Sequence, residues 1–282
     1  MTGTGTQNDP YIIENYSDLL NITEGSTKYY KLGVDIDVSQ YRSPNDAPIN
    51  LKAAEFDGDG HTISNFFRRE NSSDNVNSMF SQNISTPTVV KNLNITGAYL
   101  AGGKTSLVYP LYNNSTIRNC RISAKIVDTG SAFSFMQFKS FQDCEILLEG
   151  QCNILKPLSS TNIEGCLIKY DMICNQLNAT TTFGTSNLLC GIRGRIKNLG
   201  TSGEIRLTST STNSYYAIDI NTATAVYISN VSGVNFYDSE VMAGVADVMP
   251  VKTGLYALTT EQCKNAEYLQ EIGFPCQSGV NI

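Results

Sequence analysis

Short stretches of alternating apolar and polar residues run the length of the chain, broken by Asn, Gly and Ser. "KYYKLGVDIDV" (28–38) is one such stretch. Alternation of period two predicts β-strands with one buried face. A phrase recurs within this pattern: "TISNF" (62–66), "VKNLNI" (90–95), "IRNCRI" (117–122), "FQDCEI" (141–146), "IEGCLI" (163–168), "IKNLGT" (196–201) and "ISNVSG" (228–233). Its central apolar residues are Phe66, Leu93, Cys120, Cys144, Cys166, Leu199 and Val231. A second small apolar block precedes the later copies: Met79-Phe80, Leu107-Val108, Phe133, Ile154-Leu155, Leu188-Leu189 and Ala217-Ile218. Two strand-like blocks recurring with a period in the twenties to low thirties indicate a solenoid. A coil of that length suits a parallel β-helix with about three short strands per turn, whose coils bury their apolar faces by stacking.

The residue before each central position is Asn65, Asn92, Asn119, Asp143, Gly165, Asn198 or Asn230. These types tolerate left-handed backbone, so each predicts a corner of the coil, with amides stacked between neighbours. Cys120, Cys144 and Cys166 fill a position taken elsewhere by Phe, Leu and Val. They are therefore expected as free, buried thiols, and Cys190, in the upstream block, follows the same rule. Among the eight cysteines no C-x2-C pair occurs, which argues against zinc.

The ends predict covers for the open sheet edges. "DPYIIENYSDLLNIT" (9–23) reads as a strand at Tyr11–Glu14 and a short helix around Ser17–Ile22. "LTTEQCKNAEYLQEIGFPC" (258–276) reads as a helix over about 260–271: Thr259 and Gln262 form a capping box, and Gly273 and Pro275 stop it. The expected organisation is one domain over 1–282: an N-terminal cap with first strands (1–55), repeated coils (56–245) and a C-terminal cap (246–282).

Charged residues are only 16% of the chain and Trp is absent. A formal charge of −6 argues against a nucleic-acid partner. No run of about 18 apolar residues predicts membrane insertion, and "MTGTGTQNDP" lacks the features of a secretory signal.

"GTGTQNDPYIIENYSDLL", "YYKLGVDIDV" and "INLKAAEFDGDGHTISNF" resemble the N-terminal capping region of adhesin-like right-handed β-helices. "SLVYPLYNNSTIRNCRIS" is similar to the GLUG repeat, although Ser106, Tyr109, Asn187 and Cys190 replace its usual glycines. "ALTTEQCKNAEYLQEIGFP" resembles the ends of β-helical proteins of gut bacteria and their phages. The resemblance implies an all-β, right-handed parallel β-helix with a short N-terminal cap and a C-terminal capping helix. With no leader expected, it implies a bacteriophage virion component: a fibre, spike or head-decoration protein. Its partners would be other virion proteins and further copies of itself, a trimer being the form such spikes take. Host cell-surface polysaccharide is the candidate ligand. The alternative is a bacterial cell-surface adhesin module, and the third reading is a polysaccharide lyase or hydrolase.

The catalytic candidates cluster early. "FDGDGHTISNF" (56–66) holds Asp57, Asp59 and His61, the single histidine. Asp35 and Asp37 form a D-x-D on an alternating strand, with Arg68 and Arg69 further along. Glycosidases need two carboxylates flanking the bond, and outward carboxylates can bind Ca2+. No matching acidic pair recurs one coil later, so these residues read as ordinary outward positions and as a turn entering the coils. His61 reads as a corner residue bonding locally. No catalytic, metal or cofactor residue is expected. Tyr215, Tyr216, Tyr227 and Tyr237 could stack on sugar rings or lie in ordinary solenoid surface. N-x-S/T matches such as Asn94 and Asn178 are expected by chance in so Asn-, Ser- and Thr-rich a chain.

Overall fold

Every strand of the computed structural model belongs to one hydrogen-bonded network, and all strand-to-strand pairings are parallel. The chain forms a parallel β-solenoid. The structure describes residues 1–22, 27–39, 49–50, 53–70, 76–81, 88–102, 104–109, 115–128, 133–134, 140–156, 162–183, 190–199, 203–209, 213–220, 224–230, 233–243, 248–250 and 255–274.

Three faces organise the coils. Face I stacks Ile36–Asp37, Thr62–Ser64, Asn94–Gly102, Arg121–Asp128, the first part of Glu145–Lys156, the first part of Leu167–Phe183, Cys190–Asn198, Ser214–Ile220, Asn235–Asp238 and Leu255–Leu258. Face II runs from Ile49–Asn50 through Val76–Ser81 and Lys104–Tyr109 to Gly203–Ser209, Thr224–Asn230 and Val248–Pro250. Face III stacks Tyr11–Ile13, Tyr29–Leu32, Glu55–Asp57, Val89–Lys91, Thr116–Arg118, Ser140–Gln142 and Asn162–Glu164.

The core is built from in-register ladders. On face I, Ile36, Ile63, Ile95, Ile122, Ile146, Ile168 and Ile192 pair in succession, all buried, before Tyr216 takes the position. On face III the ladder is Tyr30, Phe56, Val90, Ile117, Phe141 and Ile163. β-Branched and aromatic side chains suit this pleated, half-buried surface, and identical neighbours stack without volume mismatch.

A single left-handed residue joins face III to face I. Asn92, Asn119, Asp143 and Gly165 have φ of 51°, 51°, 54° and 62°. The next residue, Leu93, Cys120, Cys144 or Cys166, turns into the core. Side-chain amides link the corners: Asn119 Nδ2 donates to Asn92 Oδ1 at 2.8 Å, and Asn92 Nδ2 to Asp57 Oδ1 at 2.9 Å. The thiols of Cys120, Cys144 and Cys166 each donate to the carbonyl two residues earlier at 3.2 Å. That weak bond to a corner carbonyl is available to Cys and not to Leu or Val. All six described cysteines are free and buried; the side chain of Cys190 lies outside the described residues.

The repeat departs from its expected register at both ends. Asn65 is left-handed (φ 60°) but lies within face I, not at the corner. It sits level with left-handed Gly97, between the Ser64–Thr96 and Phe67–Tyr99 pairs, and Phe66 is level with Ala98, not Leu93. The corner of that coil is Asp57-Gly58-Asp59-Gly60, whose Gly58 and Gly60 amides donate to the Lys91 and Asn92 carbonyls, each at 2.8 Å. A Cβ on Gly58 would stand 2.4 Å from the Asn92 oxygen, so only glycine fits. Asn198 and Asn230 are the last residues of strands Cys190–Asn198, on face I, and Thr224–Asn230, on face II, and so do not follow a face III strand as the other markers do. Leu199 is 57% exposed instead of central; Val231 lies outside the described residues. Ala217-Ile218 pairs with Arg193 and Gly194 on face I, away from the face II blocks. Leu188-Leu189 lies outside the described residues.

The N-terminal end is covered, while the C-terminal helices pack on a side of the solenoid. Helix α1 (Tyr16–Leu20) is capped by Asn15, and its Tyr16 and Leu19 join the main core. Asp18 fixes it by accepting from the N-terminal ammonium at 3.2 Å and the Glu14 amide at 3.0 Å. The C-terminal helical cap is two short helices, α2 (Thr260–Lys264) and α3 (Ala266–Glu271), because Asn265 ends one and caps the next. The Thr259–Gln262 capping box is present. These helices seal the outer side of face I, where Leu269, Phe274 and Cys263 cluster with Tyr215, Phe236 and Leu258. Tyr215 lies over Gly191, where a Cβ would meet its ring at 2.1 Å. Met242, from the turn after Asn235–Asp238, reaches the main core.

Candidate functional site

The acidic residues of the first coils divide between two faces. Phe56 points inward, so its neighbours Glu55 and Asp57 stand on the outer side of face III. Asp57 Oδ1 accepts from the Asp59 amide and Asn92 Nδ2, both at 2.9 Å, and Oδ2 faces Lys91 Nζ at 3.1 Å. Burial acts to raise the Asp57 pKa, but the Asp59 amide, Asn92 and Lys91 outweigh it and hold the carboxyl below its ordinary value. Lys91 is raised by its bond to Glu55 at 2.8 Å, against burial and together with Asp57. Asp59 takes Lys31 Nζ at 2.8 Å.

Asp35 and Asp37 flank Ile36 on the outside of face I. Asp35 Oδ1 accepts the Thr62 amide at 2.9 Å and faces His61 Nδ1 at 3.1 Å. The Thr62 amide, then His61, lowers its pKa. His61 thus bonds locally through its amide, which donates to the Gly58 carbonyl at 2.8 Å, while its ring reaches the preceding coil because stacking brings residues 26 apart into register. Asp37 Oδ1 accepts the Ser39 amide at 2.8 Å and Asn65 Nδ2 at 3.1 Å. Each candidate carboxylate thus serves as a rivet between coils or a local turn bond. Arg68 and Arg69 lie on Phe67–Glu70, and their side chains are outside the described residues. Among the described residues no group of three His, Cys, Asp or Glu side chains could hold a metal ion. Tyr215 and Tyr216 are buried, at 2% and 0% exposure, and offer no ring to a ligand.

A concave surface does exist, and its chemistry lies beside these carboxylates. A groove of about 400 Å³ opens on the outer side of face III. Its floor is formed by Tyr29, Lys31, Glu55, Asp57 and Lys91; Gln7, Asn8 and Pro10 of the N-terminal turn form a wall. Strand register assembles the floor, pairing Tyr29 with Glu55 and Lys31 with Asp57, and Asp57 in turn with Lys91. The wall is pinned by the Tyr29 amide to the Gly5 carbonyl at 3.1 Å and the Ile12 amide to the Thr2 carbonyl at 2.9 Å. Asp57 is thus the residue shared between the sequence candidates and the groove. Tyr29, Lys31, Glu55 and Lys91 escape a sequence search because their common outward parity matters only once coil register is known.

No family model matches the chain. Part of it is similar to halomucin of Haloquadratum walsbyi (strain DSM 16790 / HBSQ001), 31% identical over 140 residues. That match covers 44% of this chain and 2% of halomucin, so the chain spans a small fraction of that relative's length. A crystal structure of a candidate immunoglobulin A1 protease from Bacteroides ovatus aligns over 94% of this chain and 88% of its own, at 17% identity and a TM-score of 0.41. Among the described residues, no helix is long and apolar enough to cross a membrane.

Proposed function

We propose that the chain is a rigid, non-catalytic solenoid displayed on the surface of a cell or particle, presenting fixed side chains for binding. The observation that carries this reading is the use made of the N-terminal carboxylates. Asp35, Asp37, Asp57 and Asp59 are each engaged by an amide or ammonium group of the same or an adjacent coil. A glycosidase pair needs one carboxyl held as an acid by a raised pKa, whereas the partners of Asp35 and Asp57 hold both below the ordinary value. The stretch of similarity to halomucin supports surface display. In its particle form the reading is a bacteriophage fibre, spike or head-decoration protein, assembled with other virion proteins as a homo-oligomer. In its cellular form it is an adhesin module. Repeated display of weak sites gains strength by avidity in either setting.

Antibody against the chain, applied to intact cells and virus particles of the source culture, tests display. Gold label on the exterior of either is the expected outcome; label confined to lysed cells overturns display. A second arm tests catalysis. Capsular and pectin-like polymers are expected to yield no new reducing ends or unsaturated products, and depolymerisation abolished by Asp57→Asn or Asp35→Asn would falsify the non-catalytic reading.

A further inference from the structure

The groove on the outer side of face III has the dimensions of a ligand site: about 400 Å³, within the roughly 300–1,000 Å³ of small-molecule pockets. Its lining also selects a ligand chemistry. Lys31 and Lys91 stand against Glu55 and Asp57. Lys91 bridges both carboxylates, at 2.8 and 3.1 Å, while Lys31 is paired with Asp59 at 2.8 Å. A charged ligand would find each counter-charge already engaged and would have to break a pair to bind.

Hydrogen-bonding capacity nevertheless remains. An ammonium has three donors, and Lys91 spends two on Glu55 and Asp57. The carboxylates keep lone pairs, since each oxygen accepts more than one bond. Asn8 adds an amide on the wall, and the half-buried Tyr29 supplies an aromatic ring on the floor. Donors interleaved with acceptors beside one aromatic face match a ligand whose polar groups both donate and accept and whose remaining surface is C–H. That is a pyranose. Vicinal hydroxyls can donate to Glu55 or Asp57 and accept from Lys91 or Lys31, while a C–H face covers Tyr29. A peptide added as a strand has no place here, because Tyr29–Leu32 is paired on both sides by Tyr11–Ile13 and Glu55–Asp57.

The geometry points to this groove as a binding site for a neutral saccharide, as free sugar or as part of a glycan chain. This rests on the binding reading given above and fixes its site and ligand class. The test is saturation-transfer NMR on the whole chain, with methyl α-mannopyranoside, methyl β-galactopyranoside, methyl β-glucopyranoside and, as the acidic counterpart, methyl β-glucuronide. At millimolar ligand, at least one neutral glycoside should receive saturation and the glucuronide none. Tyr29→Ala and Lys91→Met should each weaken binding about tenfold or more, with circular dichroism verifying the fold. Asn8→Ala, on the wall and outside the core, should also weaken it and guards against misfolding of the floor variants. No transfer to any neutral glycoside, preference for the glucuronide, or full binding by Tyr29→Ala and Asn8→Ala overturns the proposal. Immobilised dextran and galactan separate chain-linked from free sugar: capture with the same sensitivity to Tyr29→Ala assigns the groove to polymers. Capture of a glycan that ignores Tyr29→Ala overturns the groove while leaving the binding function standing.

Discussion

At the residue scale, the buried thiols carry a measurable pH signature. The neighbouring Cys144 thiol, then burial, raises the Cys120 pKa. For Cys144 the Cys120 thiol acts to lower it, but Cys166 and burial prevail and the net shift is upward. Burial pushes Cys174 up to about 11 and, with Asp238 and Glu240, Cys263 up to about 12. The unfolded chain ionises its thiols near the ordinary value of about 8.5. Folded values above unfolded ones mean stability is intact below that pH and falls as pH rises toward the folded values. Each such thiol removes about 1.4 kcal/mol per pH unit in that window. Urea midpoints measured from pH 7 to 10.5 should therefore fall steeply above about pH 8.5. Cys144→Val, which has no ionisable group, should shallow the fall. Equal slopes for the two proteins would mean the thiol contributes nothing.

At the element scale, the corner residue governs how face III passes to face I. Asn119 holds φ at 51° and donates to Asn92 at 2.8 Å. Asn119→Ala loses the amide bond and keeps a Cβ in a left-handed conformation, which costs roughly 1–2 kcal/mol, without the short polar side chain that lets Asn tolerate it. Asn119→Gly loses the bond but keeps the backbone at ease, as Gly165 does at the same corner with φ 62°. The alanine variant should be less stable than the glycine variant by about 1 kcal/mol in chemical denaturation; the reverse order would remove backbone conformation as the reason for Asn. The corners at 92, 119, 143 and 165 were readable from sequence because a left-handed residue, an inward residue and an outward residue must follow one another there. Asn65 matched that grammar through a different device, the bulge it shares with Gly97 inside face I. The later markers misled because face I and face II merge in the continuous strand Leu167–Phe183, which needs no sharp corner. Asn198 then ends a plain strand, and Leu199 after it is exposed. The groove was illegible for another reason: the pairing of Asp57 with Lys91 spans a whole coil of sequence, and its wall comes from the first ten residues.

At the scale of the whole molecule, stacking leaves a problem only at its ends, where strand edges and core side chains lack a neighbour. The two ends differ. At the C-terminus, α2 and α3 turn back over the outer side of face I, and Met242 from a preceding turn reaches the core. At the N-terminus, residues 1–22 supply both a strand and a plug. Tyr11–Ile13 pairs with the edge of Tyr29–Leu32, and α1 places Tyr16 and Leu19 in the same core as Tyr30 and Leu32. Deleting 1–22 would therefore bare a paired edge and several fully buried side chains together. The truncated chain should self-associate with rising concentration in light scattering and bind a hydrophobic dye that the intact chain ignores. Deleting 259–274 should bare Tyr215 and Phe236 on a lateral face, lowering the melting temperature and raising dye binding. It leaves the pairing of Tyr29–Leu32 untouched, so that variant should associate less than the N-terminal one. Equal association of the two truncations would mean that exposed apolar area, not an open strand edge, drives it, and the N-terminal segment would then be a cover for side chains alone.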